Sequence, residues 1–298
     1  MSYRLTRRHF TTLMGAALAS PAALAQTRPP LITRAIPSSG ELIPAVGLGT
    51  ASVFNRNDEA TRNKASSVIE ALLAGGGKLI DTASTYGDAE SVLGVVTASN
   101  GLRDKLFIAT KLESPDADEL KRSLTRLKTA KVDLLQLHNV RDRQQSLQRF
   151  RQWKEQGLCR YIGITSTYRN DFPAVRAVLE REKPDFVQID YSLDNREAEK
   201  SILPVAESVR AGVLTALPYG RGRLFRAVHG KELPEWAQPF ADSWGQFFLK
   251  YLLADPRVTA VIPGTADARH MTDNSGAMHG VLPDPDQRRR MVEFIDAL

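Results

Sequence analysis

From residue 46 onward, short apolar runs alternate with longer stretches of helical period, and the alternation repeats eight times. The runs fall at 46–50, 78–81, 106–110, 132–137, 161–165, 186–190, 213–217 and 258–262. Each is too short for a helix and apolar at nearly every position, the pattern of a strand buried on both faces. Helical segments are expected near 58–73, 90–98, 117–128, 144–155, 171–181, 198–209 and 240–253, with further helices from about 268 and over 285–297. Asp58 stands where an N-cap belongs, and Gly75, Gly157 and Gly212 stand where helices stop. Strands joined through helices run parallel, and right-handed crossovers close eight of them into a (β/α)8 TIM barrel. One domain over residues 26–298 accommodates it, since such barrels take about 250 residues. Upstream, 31–36 and 41–44 flank Ser38-Ser39-Gly40, which predicts an N-terminal β-hairpin.

Residues 1–25 read as something other than fold. Thr6-Arg7-Arg8-His9-Phe10 precedes an apolar stretch over 13–18, and Ala23-Leu24-Ala25 forms a small-residue cleavage site. That is a signal peptide, cleaved after Ala25, and the paired arginines point to the twin-arginine export machinery as a partner. The alternatives are a Sec signal or a basic amphipathic tail. The stretch is too short for a stable membrane span. The expected location is the periplasm, or the cytoplasm if the signal is not used. Its removal takes Arg4, Arg7 and Arg8 and no acids, so the net charge falls from +6 to +3. No basic stripe with interleaved aromatics remains, which argues against nucleic acid. The single cysteine, Cys159, allows no internal disulfide and no cysteine cluster for a metal, and it is expected in the core.

Three of the apolar runs end on chemistry. Leu79-Ile80 leads to Asp81, Leu106-Phe107-Ile108-Ala109-Thr110 to Lys111, and Val132-Asp133-Leu134-Leu135-Gln136-Leu137 to His138. Parallel strands bring all three ends to one rim. Tyr86 follows Asp81 through the turn-prone Thr82-Ala83-Ser84-Thr85, close enough to return to it. One polar strand end is ordinary; carboxylate, ammonium, imidazole and phenol together form a proton-transfer constellation. An ammonium beside a phenol favours the phenolate, a carboxylate fixes the ammonium, and an imidazole can orient a carbonyl.

The block Asp81-Thr82-Ala83-x-x-Tyr86-Gly87, with Glu90-x-x-Leu93-Gly94 after it, resembles the aldo-keto reductases. So do Lys111, the run from Ser123-Leu124-x-x-Leu127 to His138, Gly163-Ile164-Thr165-Ser166, Val187-Gln188-Ile189, Ile262-Pro263-Gly264-Thr265 and Asn274. The resemblance spans nearly everything from residue 31. It implies a barrel plugged at its bottom by the hairpin, a nicotinamide cofactor, and reduction of a small-molecule carbonyl substrate. By the same resemblance Tyr86 is the proton donor, Lys111 and Asp81 tune it, and His138 binds the carbonyl oxygen. Gly49, Thr50, Ser166 and Gln188 fall at cofactor positions, the last two at those that hold the carboxamide.

Departures from the family pattern cluster at the cofactor. Thr167 replaces an asparagine that often follows the serine, so a two-armed amide contact is reduced to one hydroxyl. Leu217-Pro218-Tyr219-Gly220 stands where an aromatic often stacks on the nicotinamide, leaving Leu217 or Tyr219 to take its place. Gly220-Arg221-Gly222-Arg223 suits a pyrophosphate and reads equally as a solvated basic turn. Gly264 stands where many relatives have a lysine for the 2′-phosphate. Thr265, Arg269 and Asn274 remain as candidates there. The cofactor expected is NADP, with NAD open. Phe54, Tyr168 and Tyr219 are candidate substrate contacts.

Two function classes fit these residues. One is an NAD(P)H-dependent oxidoreductase that reduces an aldehyde or ketone. The other is a nicotinamide-binding regulatory or sensor subunit with little turnover. A cofactor-free lyase using the same tyrosine is a weaker third.

Overall fold

A computed structural model describes residues 30–298. The expected export signal lies outside the described residues. The hairpin pairs β1 (Thr33–Ala35) with β2 (Leu42–Pro44), antiparallel, around Gly40 at φ +79°. Eight parallel strands follow in sequential order. They are β3 (Leu48–Gly49), β4 (Leu79–Asp81), β5 (Phe107–Leu112), β6 (Val132–Leu137), β7 (Cys159–Ser166), β8 (Phe186–Asp190), β9 (Gly212–Ala216) and β10 (Val258–Val261). Val46 bridges to Val261 and Gly49 to Gly264, both parallel, which joins the first barrel strand to the last. A Cβ on Gly49 would stand 2.9 Å from the Ile262 carbonyl, so the seam requires glycine there.

The outer layer comprises α1 (Glu59–Ala74), α2 (Ala89–Ser99), α3 (Ala117–Arg126), α4 (Gln148–Glu155), α5 (Phe172–Glu182), α6 (Glu197–Ser201), α7 (Leu203–Ser208), α8 (Arg223–Ala227), α9 (Trp244–Leu253), α10 (Ala268–Gly276) and α11 (Pro285–Asp296). Asp58 caps α1 by accepting from the Thr61 N–H. Several boundaries differ from expectation, three of them for a visible cause. The helix expected over 198–209 breaks at Ile202, because Pro204 offers no N–H to the Lys200 carbonyl. The helix expected from 240 starts at Trp244, where Ser243 accepts from the Gln246 N–H and caps it. Strand β9 stops at Ala216 because Leu217 adopts φ +55°.

Strand side chains alternate between two cores. Ile80, Ile108, Leu135, Ile162 and Val187 pack outward against the helices. Leu79, Phe107, Ala109, Leu134, Tyr161, Phe186, Leu214 and Ala260 form a second cluster together with Ile36 and Ile43 of the hairpin. That cluster is the barrel interior, and the hairpin plugs its lower end. Continuing upward by twos, the same inward rows reach Asp81, Lys111, Gln136, His138 and Gln188. Cys159 is buried, and burial pushes its thiol up to about 12.

Candidate active site

The inward rows turn from apolar to polar at the C-terminal ends of the strands, where barrel chemistry gathers. Asp81 registers with Ala109, so Lys111 is the next inward residue on β5 and reaches back to it. Its ammonium, 1% exposed, donates to Asp81 Oδ2 at 2.6 Å, the Thr82 carbonyl at 2.8 Å and Tyr86 Oη at 3.3 Å. All three of its donors are thereby used. Burial alone would lower the lysine pKa; the Asp81 carboxylate and Tyr86 outweigh it, and the net direction is up.

The phenol is delivered by the turn after β4. Thr82 N–H donates to the Ala109 carbonyl, Ser84 N–H to the Lys111 carbonyl and Tyr86 N–H to the Ala83 carbonyl. Gly87 at φ +56° then lets α2 begin; a Cβ there would lie 3.1 Å from the Asn55 carbonyl. The Tyr86 and His138 rings meet edge to face at 5.8 Å. His138 Nδ1 contacts Glu113 Oε1. Burial, and next the Lys111 charge, hold the imidazole below its ordinary pKa, against the pull of Glu113.

Beneath this group lies an amide layer that sequence reasoning missed in part. Gln136 Nε2 donates to Gln188 Oε1 at 2.8 Å and to Asp81 Oδ1 at 3.4 Å, and Gln188 Nε2 donates to Asp81 Oδ2 at 3.3 Å. The inward parity of Gln136, two residues before His138, was the available signal. Glu113 was also missed; it lies just past the end of β5, where a loop residue carries no pattern.

Tyr86, Lys111, His138 and Gln188 line a cleft of about 440 Å³. Gly49, Tyr168, Tyr219 and Arg221 line it as well, as do Thr167 and Leu217, and Asn139 and Thr165, which were not assigned roles. Phe54 does not line it. That candidate substrate contact is corrected: Phe54 is fully buried in the helix-side core, where its ring fills apolar space. Ser166 is buried; it donates to Asp171 Oδ2 at 2.8 Å and accepts from the Tyr168 N–H, while Thr165 and Thr167 hold the wall. Thr50 is also inside, donating to the Asp81 carbonyl. Tyr219 turns its hydroxyl to Asn274 Oδ1 and packs against Phe225, which occupies Asn274.

The glycine-rich loop divides its two arginines. Arg223 pairs with Asp194 at 2.7 Å, whereas Arg221 lines the cleft and has no carboxylate within ion-pair distance among the described residues. A second cleft of about 710 Å³ runs between α1 and the start of α10, lined by Thr265, Arg269 and His270 with Asn63, Lys64 and Ser67. Arg269 is 88% exposed in its side chain and pairs with Asp267, the N-cap of α10. Lys64 had no signal in sequence, since it sits on the solvated face of a helix. Among the described residues no group of three His, Cys, Asp or Glu side chains is placed to hold a metal, and no helix is long and apolar enough to cross a membrane.

Residues 45–295 match the model of the Aldo/keto reductase family. The chain is 27% identical to an uncharacterized oxidoreductase, YqkF, of Bacillus subtilis, over 86% of this chain and 92% of that one. It is 28% identical to the methylglyoxal reductase YeaE of Escherichia coli, over 80% and 87%. An aldo-keto reductase from Klebsiella pneumoniae, solved in complex with NADPH, superposes with a TM-score of 0.75 at 23% identity, covering 89% of this chain and 96% of that one.

Proposed function

Since this chain belongs to the aldo-keto reductase family of oxidoreductases, we propose that it reduces an aldehyde or ketone to an alcohol with NADPH, Tyr86 giving the proton. The observation that carries this reading is the Lys111 ammonium, which touches both the Tyr86 hydroxyl and the Asp81 carboxylate at the cleft floor. A bound nicotinamide supplies the hydride. Tyr86 donates to the carbonyl oxygen as negative charge grows there, and Lys111 stabilises the phenolate left behind. Asp81, held by Gln136 and Gln188, keeps Lys111 charged and aimed. His138 orients the substrate from beside the phenol.

The chain's own residues suit the cofactor. Gln188 offers an amide at the cleft wall, and Thr167 lines the same cleft where Ser166 does not. Arg221 offers a guanidinium without an internal carboxylate partner to a pyrophosphate. Lys64, Arg269 and His270 surround the second cleft and suit a 2′-phosphate, which favours NADP over NAD. The NADPH of the Klebsiella neighbour agrees with that preference. Leu217 lines the same cleft and would offer an apolar surface to a nicotinamide ring, while the Tyr219 ring packs on Phe225 and its hydroxyl donates to Asn274. Steady-state reduction of a panel of small carbonyls by purified residues 26–298, with product detection, tests the reading. Absence of turnover alongside retained NADPH binding would favour a sensor role instead.

We also propose that residues 1–25 direct twin-arginine export, so that the barrel crosses folded and holds its nicotinamide in the periplasm. Cell fractionation with N-terminal sequencing, followed by denaturation and nucleotide assay, tests both parts. Uncleaved cytoplasmic protein removes the export premise, and cofactor-free periplasmic protein removes the retention.

A further inference from the structure

Asn139 lies just past the end of β6 in the left-handed region, at φ +50°. Its backbone is pinned to the neighbouring strand. Asn139 N–H donates to Thr165 Oγ1 at 3.1 Å, and Val140 N–H donates to the Thr165 carbonyl at 2.8 Å. Asparagine tolerates a positive φ better than most residues, which accounts for the backbone. It does not account for the side chain. Asn139 lines the cleft, and its Oδ1 is buried with no hydrogen-bond partner among the described residues. Leaving a buried acceptor unpaired is costly, so the orphan marks a place that a donor on a ligand fits.

A nicotinamide carboxamide presents an acceptor oxygen and an NH2 group with two donor hydrogens, so it needs both kinds of partner. The residues that the resemblance places there are largely spent. Ser166 gives its hydrogen to Asp171 and accepts from the Tyr168 N–H, and it does not line the cleft. Gln188 Oε1 accepts from Gln136 and one Nε2 hydrogen goes to Asp81, which leaves an N–H for the carboxamide oxygen. Thr167 stands where an asparagine is often found. The cleft thus lacks an amide oxygen at that position to accept from the NH2 group, and Asn139 Oδ1 is an amide oxygen without a donor. We infer that Asn139 takes over from the asparagine that Thr167 replaces, and accepts from the carboxamide one strand away from the usual position. The inference deepens the proposed use of a nicotinamide cofactor and rests on it.

Three probes separate this contact from the fold: oxidised NADP, its 3-acetylpyridine analogue, and 2′-phosphoadenosine 5′-diphosphoribose. The analogue carries a methyl in place of the NH2 group, and the diphosphoribose has no nicotinamide at all. Asn139→Gly removes the amide and keeps the positive φ without strain. Affinities are read by calorimetric titration. The wild type is expected to prefer NADP to the analogue by about five- to tenfold, the scale of one net hydrogen bond. In Asn139→Gly that preference is expected to fall to about one, through weaker binding of NADP, while the diphosphoribose binds as before. Thr167→Asn in the same background is expected to bring the preference back, and a double variant that shows none would overturn the exchange of roles. An unchanged preference in Asn139→Gly overturns the inference, and so does an equal loss on all three probes, which would make Asn139 structural. A wild type that binds the diphosphoribose but neither dinucleotide removes the nicotinamide reading itself, and the inference with it.

Discussion

The Lys111 ammonium lies 2.6 Å from Asp81 Oδ2, at the almost wholly buried floor of the cleft. The two residues are thirty positions apart in sequence and one inward step apart in register. Burying two charges is costly, and the cost is met here by the Thr82 carbonyl, two amide donors and the Tyr86 hydroxyl. Breaking such a pair from one side leaves the other charge stranded.

Lys111→Met is therefore expected to destabilise the fold by about 3–5 kcal/mol, because it strands the Asp81 carboxylate. Adding Asp81→Leu is expected to recover much of that loss without recovering activity. Chemical denaturation of the two single variants and the double measures the coupling. Additive losses would mean that the pair is not the unit described here.

Cofactor choice is expected to lie in the second cleft and cofactor grip in the first. Arg269→Ala and Lys64→Ala should each weaken NADPH binding by roughly ten- to a hundredfold, the scale of a charged hydrogen bond, and leave NADH nearly unchanged. Arg221→Ala should weaken both nucleotides alike, since they share the pyrophosphate. Fluorescence titration with each nucleotide reads the difference. Tighter binding of NADH by the parent chain would reverse the assignment.

Lys250 gives a pH dependence that is independent of the active site. Its buried ammonium donates to the carbonyls of His279 at 2.6 Å and Val281 at 3.0 Å, tying α9 to the segment before α11. Burial holds its pKa down to about 8, only partly offset by Asp242. Between about pH 8 and the ordinary lysine value of 10.5 the unfolded chain binds this proton and the folded chain does not. Stability contributed by this residue thus rises with pH across that window. Denaturation midpoints should climb from pH 8 to 10 in the wild type relative to Lys250→Met. Parallel curves for the two proteins would contradict the linkage.

The barrel was legible because its strands leave a doubly buried pattern and its helices carry signals such as the Asp58 cap. Asp81, Lys111 and His138 were legible because each ends a strand, and strand ends share a rim in this architecture. Contacts made in loops were not. Glu113 reaches His138 only because Leu112 and His138 are hydrogen-bonded across neighbouring strands, which no spacing reveals. Phe54 misled because an aromatic after the first strand looks the same whether it faces a cleft or a core. Ser166 looked available because the sequence does not show that Asp171 takes its hydroxyl. Leu217 was ambiguous until its positive φ ended β9 and turned Tyr219 toward Asn274.

Tyr86→Phe tests the central claim most directly, since it removes one hydroxyl and keeps the ring that stands against Lys111 and His138. The measurement is a single-turnover rate of NADPH oxidation on a carbonyl substrate, paired with an NADPH titration of the same variant. The account predicts a rate lower by roughly two to four orders of magnitude, the scale of positioned acid catalysis, with nucleotide affinity unchanged. A near-wild-type rate would contradict it and assign the proton to another group.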